Sequence, residues 1–548
     1  MKLPRRSLLV LSLASLLAAC AGLQPASAPP PPRLVVFMAI DGLPQRQVLA
    51  YRDQLAPDGF ARFLDRGAWF AEAHYAHSFT VTAAGHATML TGAYPHRTGI
   101  IGNEWRDAAT GAPVYNTGDT AYKYIGNATK PLDGTSPRNL KVETVGDVLK
   151  RVNARSKVVA ISGKDRGAIL PGGKSGTAYM YQSGTGQFAS TTYYMPQHPA
   201  WVEAFNAAKH ADRWFKQEWK PLLPEAAYAR SVPDAQPWFG VKGAKLPMMM
   251  GAPGDEKPGP SYYASLLRGP YADMLSLEFA RAAVAGEQLG RDDAPDILAI
   301  SLSGHDYVNH AFSAESRLSH DHFLQLDRML EAFFHDLDAT VGAGNYVAIL
   351  TADHGFMPAP EYSKAKGLDA GRIDSRRVLA KINEALAAQF GAGPWVMGYS
   401  AASLLLDKKL AQERGVPLDA VAEAARKLLL AEPGFDTAYT RAELLSGSRR
   451  GDRFFDSQEK SWHRDVSGEV QFSLKPHWMF ASSSAATHGS PHEYDNHVPL
   501  LAWGPAWVQP GRIDTRVEVV DIAPTLARML HVPAPAAAEG KPLPLIRR

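Results

Sequence analysis

A chain of 548 residues, 45% hydrophobic and 21% charged, has a globular composition and room for roughly two to four domains, or for one large α/β core with insertions. Its net charge of +3 is too small to support nucleic-acid or membrane-surface binding, so any preference for anions must be local to a site. The single cysteine, Cys20, leaves the rest of the chain without disulfides, cysteine zinc sites or cysteine nucleophiles.

Residues 1–19 read as an export signal. Lys2, Arg5 and Arg6 precede an apolar run, Ser7 to Ala19, that is too short to cross a bilayer. Cys20 follows Leu17-Ala18-Ala19 at the cleavage point, which points to a bacterial lipoprotein signal with Cys20 lipidated as the new N-terminus. Arg5-Arg6 also admits twin-arginine export. Residues 20–33 contain QPASAPPPP and form an extended Pro/Ala tether to a folded domain over 34–548. The expectation is an exported protein, periplasmic or in the outer membrane, touching lipid only through Cys20.

Short β-rich runs then recur along the chain, and each of the first four ends in polar or charged residues. They are Leu34 to Ile40 (then Asp41), Lys157 to Ile161 (then SGKDR), Ile297 to Leu302 (then SGHD) and Tyr346 to Leu350 (then TADHG). A fifth, Val498 to Trp503, follows HGSPHEYDNH. Near-continuous apolar strands predict a mostly parallel central sheet buried between helices in a three-layer α/β sandwich. Helical patterns cover Thr144 to Val152, Tyr271 to Ala285, Leu318 to Ala339 and Pro417 to Leu430. Two stretches rich in Gly, Pro and aromatic residues, about 167–270 and 394–480, read as insertions, the first capping the site.

Sites in such sheets lie at the carboxyl ends of the strands. Gathered there are Asp41, the i, i+4 pair Asp306 and His310, the neighbours Asp353 and His354, and His488. Histidine nitrogen with carboxylate oxygen and no sulfur suits catalytic zinc. N-capping explains some of these residues, but not histidine near aspartate twice over. Two ions about 3.5–4 Å apart would form a clamp for in-line displacement at phosphorus. A threonine-rich stretch, FTVTAAGHATMLTGAYPHRTGIIGN at 79–103, raises the question of a threonine nucleophile, and metal coordination is one of the few ways to activate so weak a hydroxyl.

These motifs together resemble the alkaline phosphatase superfamily, and most closely its phosphate-irrepressible, threonine-nucleophile bacterial branch. The resemblance rests on IDG at 40–42, TVTAAGHATMLTGAYPHRTGIIGNEW at 80–105, ISGKDRGAILPGG at 161–173, SGHDYVNH at 303–310, TADHGF at 351–356 and HGSPHEYDNHVPL at 488–500. It implies an exported phosphomonoesterase with two zinc ions per chain. Asp41, Asp353, His354 and Thr82 would hold one ion, and Asp306, His310 and His488 the other. Thr82 would be the nucleophile and form a phosphothreonine, at the start of a helix whose free N–H groups face the phosphate. Asn103, Lys164 and Arg166 would bind the non-bridging phosphoryl oxygens, where charge accumulates.

The diesterase branch resembles this chain in its metal ligands but lacks the Lys/Arg pair, so a phosphodiesterase or nucleotide pyrophosphatase is the alternative. A sulfatase would need an oxidised Cys or Ser where Thr82 stands, and the third class to separate is a non-catalytic phosphate- or metal-binding lipoprotein. Expected partners are small-molecule phosphate monoesters, with no nucleic acid and a monomeric chain. Thr80 and Thr88 are read as packing or capping residues, and His305, His492 and His497 as structural. His86 and His96 are read as supports of the nucleophile loop, and His320 and His322 as surface residues.

Overall fold

A computed structural model of the chain describes residues 29–545. The expected export signal, Cys20 and most of the expected tether lie outside the described residues. The central sheet has nine strands: β1 (Leu34–Ile40), β2 (Ala68–Phe70), β3 (Val158–Ser162), β4 (Thr177–Gln182), β5 (Gln187–Ala189), β6 (Asp296–Leu302), β7 (Tyr346–Thr351), β8 (Leu500–Trp503) and β9 (Gly511–Ile513). Their spatial order is β9-β2-β8-β7-β1-β6-β3-β4-β5. Five of the eight pairings are parallel and three antiparallel, so the sheet is mixed with a parallel centre.

Every residue of β1, β6 and β7 is buried, which is why these segments are runs of Val, Ile, Leu and Ala without alternation. Helices flank the sheet in two groups. Phe60–Arg66, Tyr271–Glu287 and Arg317–Leu337 form one, and Thr82–Thr91, Val145–Val152, Asp165–Gly172 and Ile522–Met529 the other. The Val145–Val152 helix starts at a capping box in which Thr144 and Asp147 satisfy each other's backbone N–H groups.

Strand direction decides what meets at the working edge. In the parallel centre Ile40 pairs with Leu302, Ala39 with Thr351 and Ser301 with Ser162. The residues that follow these strands are therefore neighbours, and they include Asp41, Asp306, Asp353, His354 and Lys164. β8 runs antiparallel to β7, with Leu500 against Thr351, so its amino end lies at the same edge and delivers the segment carrying His488.

The stretch 167–270 differs from the capping insertion expected of it. Its first part supplies β4 and β5, the last two strands of the sheet. Much of the rest packs its aromatic residues into the main core, with Trp219 and Tyr262 at 1% exposure and Trp214 and Tyr228 buried. Its aromatic composition thus serves packing, while Leu267 and Gly269 lie against the loops at the strand ends, 3.2 and 3.0 Å from ideal Cβ positions on Gly163 and Gly304. The second stretch forms a unit with its own core of Ile373, Leu386, Trp395, Val421 and Leu429. Four antiparallel strands, Val396–Ser400, Ser403–Leu406, Val470–Leu474 and Phe435–Thr440, are backed by helices Ser375–Phe390 and Leu418–Leu430. It begins near Gly371, before the expected 394, because Gly371–Ile373 pairs with Trp478–Phe480.

Two glycines set how closely the edge can pack. Gly42 has φ +71°, and an ideal Cβ there would stand 3.2 Å from Asp306 Cα. A Cβ on Gly85 would stand 2.2 Å from the Asp353 carbonyl oxygen, so the Thr82–Thr91 helix lies directly on the strand end. Gly85→Ala is expected to lower Tm by roughly 2–10 °C through overpacking. Thermal unfolding checks this, and an unchanged Tm would mean that the helix has room to slide.

Candidate active site

Asp41, Asp306, Asp353 and His354 are each at most 3% exposed, and Thr82 is at 1%. His354 Nε2 lies 3.5 Å from Asp41 Oδ1, 3.5 Å from Asp353 Oδ2 and 3.5 Å from Thr82 Oγ1. On the other side, Asp306 Oδ1 lies 3.3 Å from His310 Nε2, 3.6 Å from His488 Nε2 and 4.0 Å from His354 Nε2. Asp306 thus reaches both groups of donors, and its company with Asp41 and His354 is a link that the sequence did not suggest.

The spacing fits a metal. Ligands held about 2.0–2.2 Å from a tetrahedral ion stand about 3.3–3.6 Å apart. Three carboxylate oxygens here, Asp41 Oδ1, Asp306 Oδ1 and Asp353 Oδ2, are buried with no hydrogen-bond donor. The imidazoles are turned to match. Nδ1 of His310, His354 and His488 donates to the carbonyls of Ala486, Gly355 and Thr80, at 3.1, 2.8 and 2.9 Å. A carbonyl only accepts, so in each neutral ring the lone pair sits on Nε2 and faces the carboxylates.

The electrostatics follow from burial. Burial, then Asp353, pushes the Asp41 carboxyl well above its ordinary range. Burial pushes Asp306 the same way, but Lys164 and the imidazoles around it outweigh this and hold it well below. Asp353 is likewise held low against its burial, by His354 and His86. Burial lowers His354 and His488, which keeps both rings neutral at pH 7 with their lone pairs free.

Lys164 Nζ lies 2.7 Å from Asp41 Oδ2 and 2.5 Å from Asp306 Oδ2. Its ammonium therefore sits on the carboxylates, drawn there by two buried negative charges. Arg166 Nη1 donates to Tyr115 Oη at 3.1 Å, and Tyr115 Oη donates to Asp165 Oδ1 at 2.6 Å. Tyr115 and Asp165 steer the guanidinium, and Tyr115 was not legible as a partner because it lies 51 positions away. Asn103 Oδ1 accepts from Ala83 N at 2.9 Å. That bond occupies one N–H that was expected to face an anion, and it turns the Asn103 amide so that its NH₂ end is free to donate elsewhere.

Among the other singled-out residues, His86 links three parts of the site. Its Nδ1 donates to the Thr82 carbonyl at 2.8 Å and lies 3.3 Å from Asp353 Oδ2, while Nε2 accepts from Ser301 Oγ at 2.8 Å. Thr80 Oγ1 donates to the Ser490 carbonyl, and Thr88 Oγ1 to that of Ala84. His96 does not support this loop. It pairs with Glu539 at 3.1 Å.

His492 bonds the Leu474 carbonyl and stays out of the cluster. His320 and His322 are not surface residues, since both are fully buried. His320 stacks on Tyr51 with ring centroids 3.5 Å apart and is bonded by Ser231 and Gln54, and His322 meets His305. Polar partners on distant segments let a helix bury histidines that its sequence pattern would leave outside.

Residues 35–497 match the family model for Type I phosphodiesterase / nucleotide pyrophosphatase. A relative from Myroides odoratus named "Calcium-transporting ATPase" is 34% identical over 93% of this chain and 94% of its own. Alkaline phosphatase PafA of Elizabethkingia meningoseptica is 32% identical over 95% and 96%. The crystal structure of wild-type PafA superposes with a TM-score of 0.88, covering 95% of this chain and all of that one. Fold, donor set and relatives define a metal-dependent enzyme that hydrolyses phosphate esters. The chain belongs to the Type I phosphodiesterase / nucleotide pyrophosphatase family, and within the alkaline phosphatase superfamily it is a phosphomonoesterase of the phosphate-irrepressible type.

His86→Ala would leave the Thr82 carbonyl without its donor and remove the imidazole that stands 3.3 Å from Asp353 Oδ2. It is expected to cost roughly 1–3 kcal/mol of stability and about 10–100-fold in metal affinity. Thermal unfolding and competition against a chelating dye measure the two, and an unaltered metal affinity would refute the supporting role.

Proposed function

We propose that the chain hydrolyses small-molecule phosphate monoesters through a phosphothreonine at Thr82, with two zinc ions. Asp41, Asp353, His354 and Thr82 would hold one ion, and Asp306, His310 and His488 the other. The observation that carries this reading is the Thr82 hydroxyl, which stands in the same 3.5 Å ring around His354 Nε2 as two buried carboxylates. Zinc, when bound, supplies the positive charge that favours the ionised Thr82 hydroxyl and offsets charge on the leaving oxygen.

The chain's own residues then do the rest. Thr82 Oγ1 attacks phosphorus, the bond to the leaving alcohol breaks in line, and water later cleaves the phosphothreonine. His86, through the Thr82 carbonyl, keeps the first turn of the helix against Asp353. Arg166, positioned by Tyr115, offers a planar fork to two non-bridging oxygens, Lys164 a point charge, and Asn103 a neutral donor. Residues 1–19 and Cys20 support export as a lipid-anchored protein, with the membrane touched only there.

Thr82→Ala is expected to reduce monoester turnover by roughly 10⁴-fold or more, with bound zinc retained on metal analysis. Turnover that survives this change would sink the covalent route. Lys164→Ala should lower the rate on a monoester about 10²-fold and the rate on its methyl diester far less, because only the monoester carries the extra charged oxygen. Equal losses on both would favour the diesterase reading. Thorough chelation should abolish activity and lower Tm, with both restored by added zinc. A rate that resists chelation would remove metal from the mechanism.

A further inference from the structure

A cavity of about 480 Å³ opens at the site and continues under the 371–480 unit. Asn103, His310 and His488 line its inner end. Phe79 and Val81, just before Thr82, form part of its wall. Beyond them the lining is largely aromatic, with Tyr399, Phe472, Trp478 and Phe480 contributed by the second unit. No lysine or arginine is among the lining residues, and the single carboxylate is Asp495.

We propose that this cavity is a leaving-group pocket that selects monoesters of flat aromatic alcohols over monoesters of small polar ones. The proposal rests on the phosphomonoesterase reading above. In an in-line displacement the leaving oxygen lies opposite Thr82 Oγ1, on the side of His310 and His488, and the carbon skeleton attached to it must continue outward from there. The pocket begins at that point. Lys164 and Arg166, the cations assigned to the phosphoryl oxygens, are not among its lining residues. The cavity therefore serves the organic part of the substrate and not its charge.

The pocket's size and make-up, apolar and aromatic walls with a few polar groups, are those of a small-molecule site. Tyr399 meets Phe472 edge-on and Phe480 at a tilt, with ring centroids 5.8 and 4.9 Å apart, so the wall is a preformed aromatic cluster against which a flat ring can pack. Two wall residues also carry a buried polar atom without a hydrogen-bond partner among the described residues, Tyr399 Oη and Trp478 Nε1.

The test compares kcat/KM for 2-(2-naphthyl)ethyl phosphate and ethyl phosphate. Both release primary alcohols of similar acidity, so the ratio reads the pocket and not the reactivity of the bond. Burying the naphthyl ring should favour the larger ester by about 10–100-fold in the native, zinc-loaded enzyme. Tyr399→Ala removes part of the wall. Ser482→Trp, at an exposed lining position, fills the pocket without deleting core packing. Each variant should lower the ratio at least about fivefold while ethyl phosphate turnover stays within about threefold of the native value. A native ratio near one, or a ratio indifferent to both variants, overturns the pocket while leaving the phosphatase reading intact. Loss of both monoester activities in the native enzyme with methyl diesters still cleaved overturns that reading, and the pocket with it.

Discussion

Three carboxylates and three imidazole lone pairs crowd one small volume at the sheet edge, and everything else about the site depends on sustaining that crowding. Two like charges 4 Å apart repel by about 4 kcal/mol at an effective dielectric of 20. A whole domain is stable by only about 5–15 kcal/mol. The cluster is therefore a charge that the fold must hold against its own tendency to open. Lys164 neutralises part of it, bridging Asp41 and Asp306. The opposite responses of these two carboxyls show the balance. Asp41, pressed by burial and by Asp353, is pushed toward protonation, while Asp306, among Lys164 and the histidines, is held ionised. Divalent cations relieve what a single ammonium cannot, and an ammonium released from the carboxylates becomes available to an anion.

The rigidity of the edge has a simple origin. Strands β1, β6 and β7 are buried throughout, and each leads into its functional residues within four positions: Asp41 after Ile40, Asp306 after Leu302, Asp353 after Thr351. Asp306 and His310 then share one face of the Gly304–Phe312 helix, a turn apart. Little chain separates core from chemistry, so little freedom remains to be lost when substrate binds. The histidines are fixed from behind by backbone carbonyls, which no sequence can advertise, because every residue type carries one.

This also marks what was legible. The parallel strands announced themselves as apolar runs ending in Asp, Lys or His, and their ends converge as such a sheet requires. The i, i+4 pair could be read from spacing alone, and Thr82 at a helix start from the family resemblance. Tyr115, Asp165 and the carbonyls of Thr80 and Ala486 could not, since they act through contacts across 50, 408 and 176 positions, and the Gly355 carbonyl, though next to His354, is a backbone group that any residue would supply. His320 and His322 misled for the same reason, because the residues they meet, Ser231, Gln54 and His305, belong to other segments. The direction of β8 was equally hidden, as an apolar run looks alike read either way.

Strand direction explains why the two insertions ended up with different duties. β7 finishes at the working edge and β8, antiparallel to it, begins there. Whatever the chain inserts between them must leave and return beside the metal ligands, so the 371–480 unit lies over the site and its aromatic residues line the cavity. The other excursion departs differently. β4 runs parallel to β3 toward the working edge, and the short β5 pairs antiparallel with the end of β4, Ala189 against Met180, at the lateral border of the sheet. The chain that follows starts from this outer strand, four strands from β1, and its tryptophans and tyrosines go into the main core. Two stretches of similar composition thus take different roles, and the cause is where each leaves the sheet: between β7 and β8 beside its centre, or from β5 at its border.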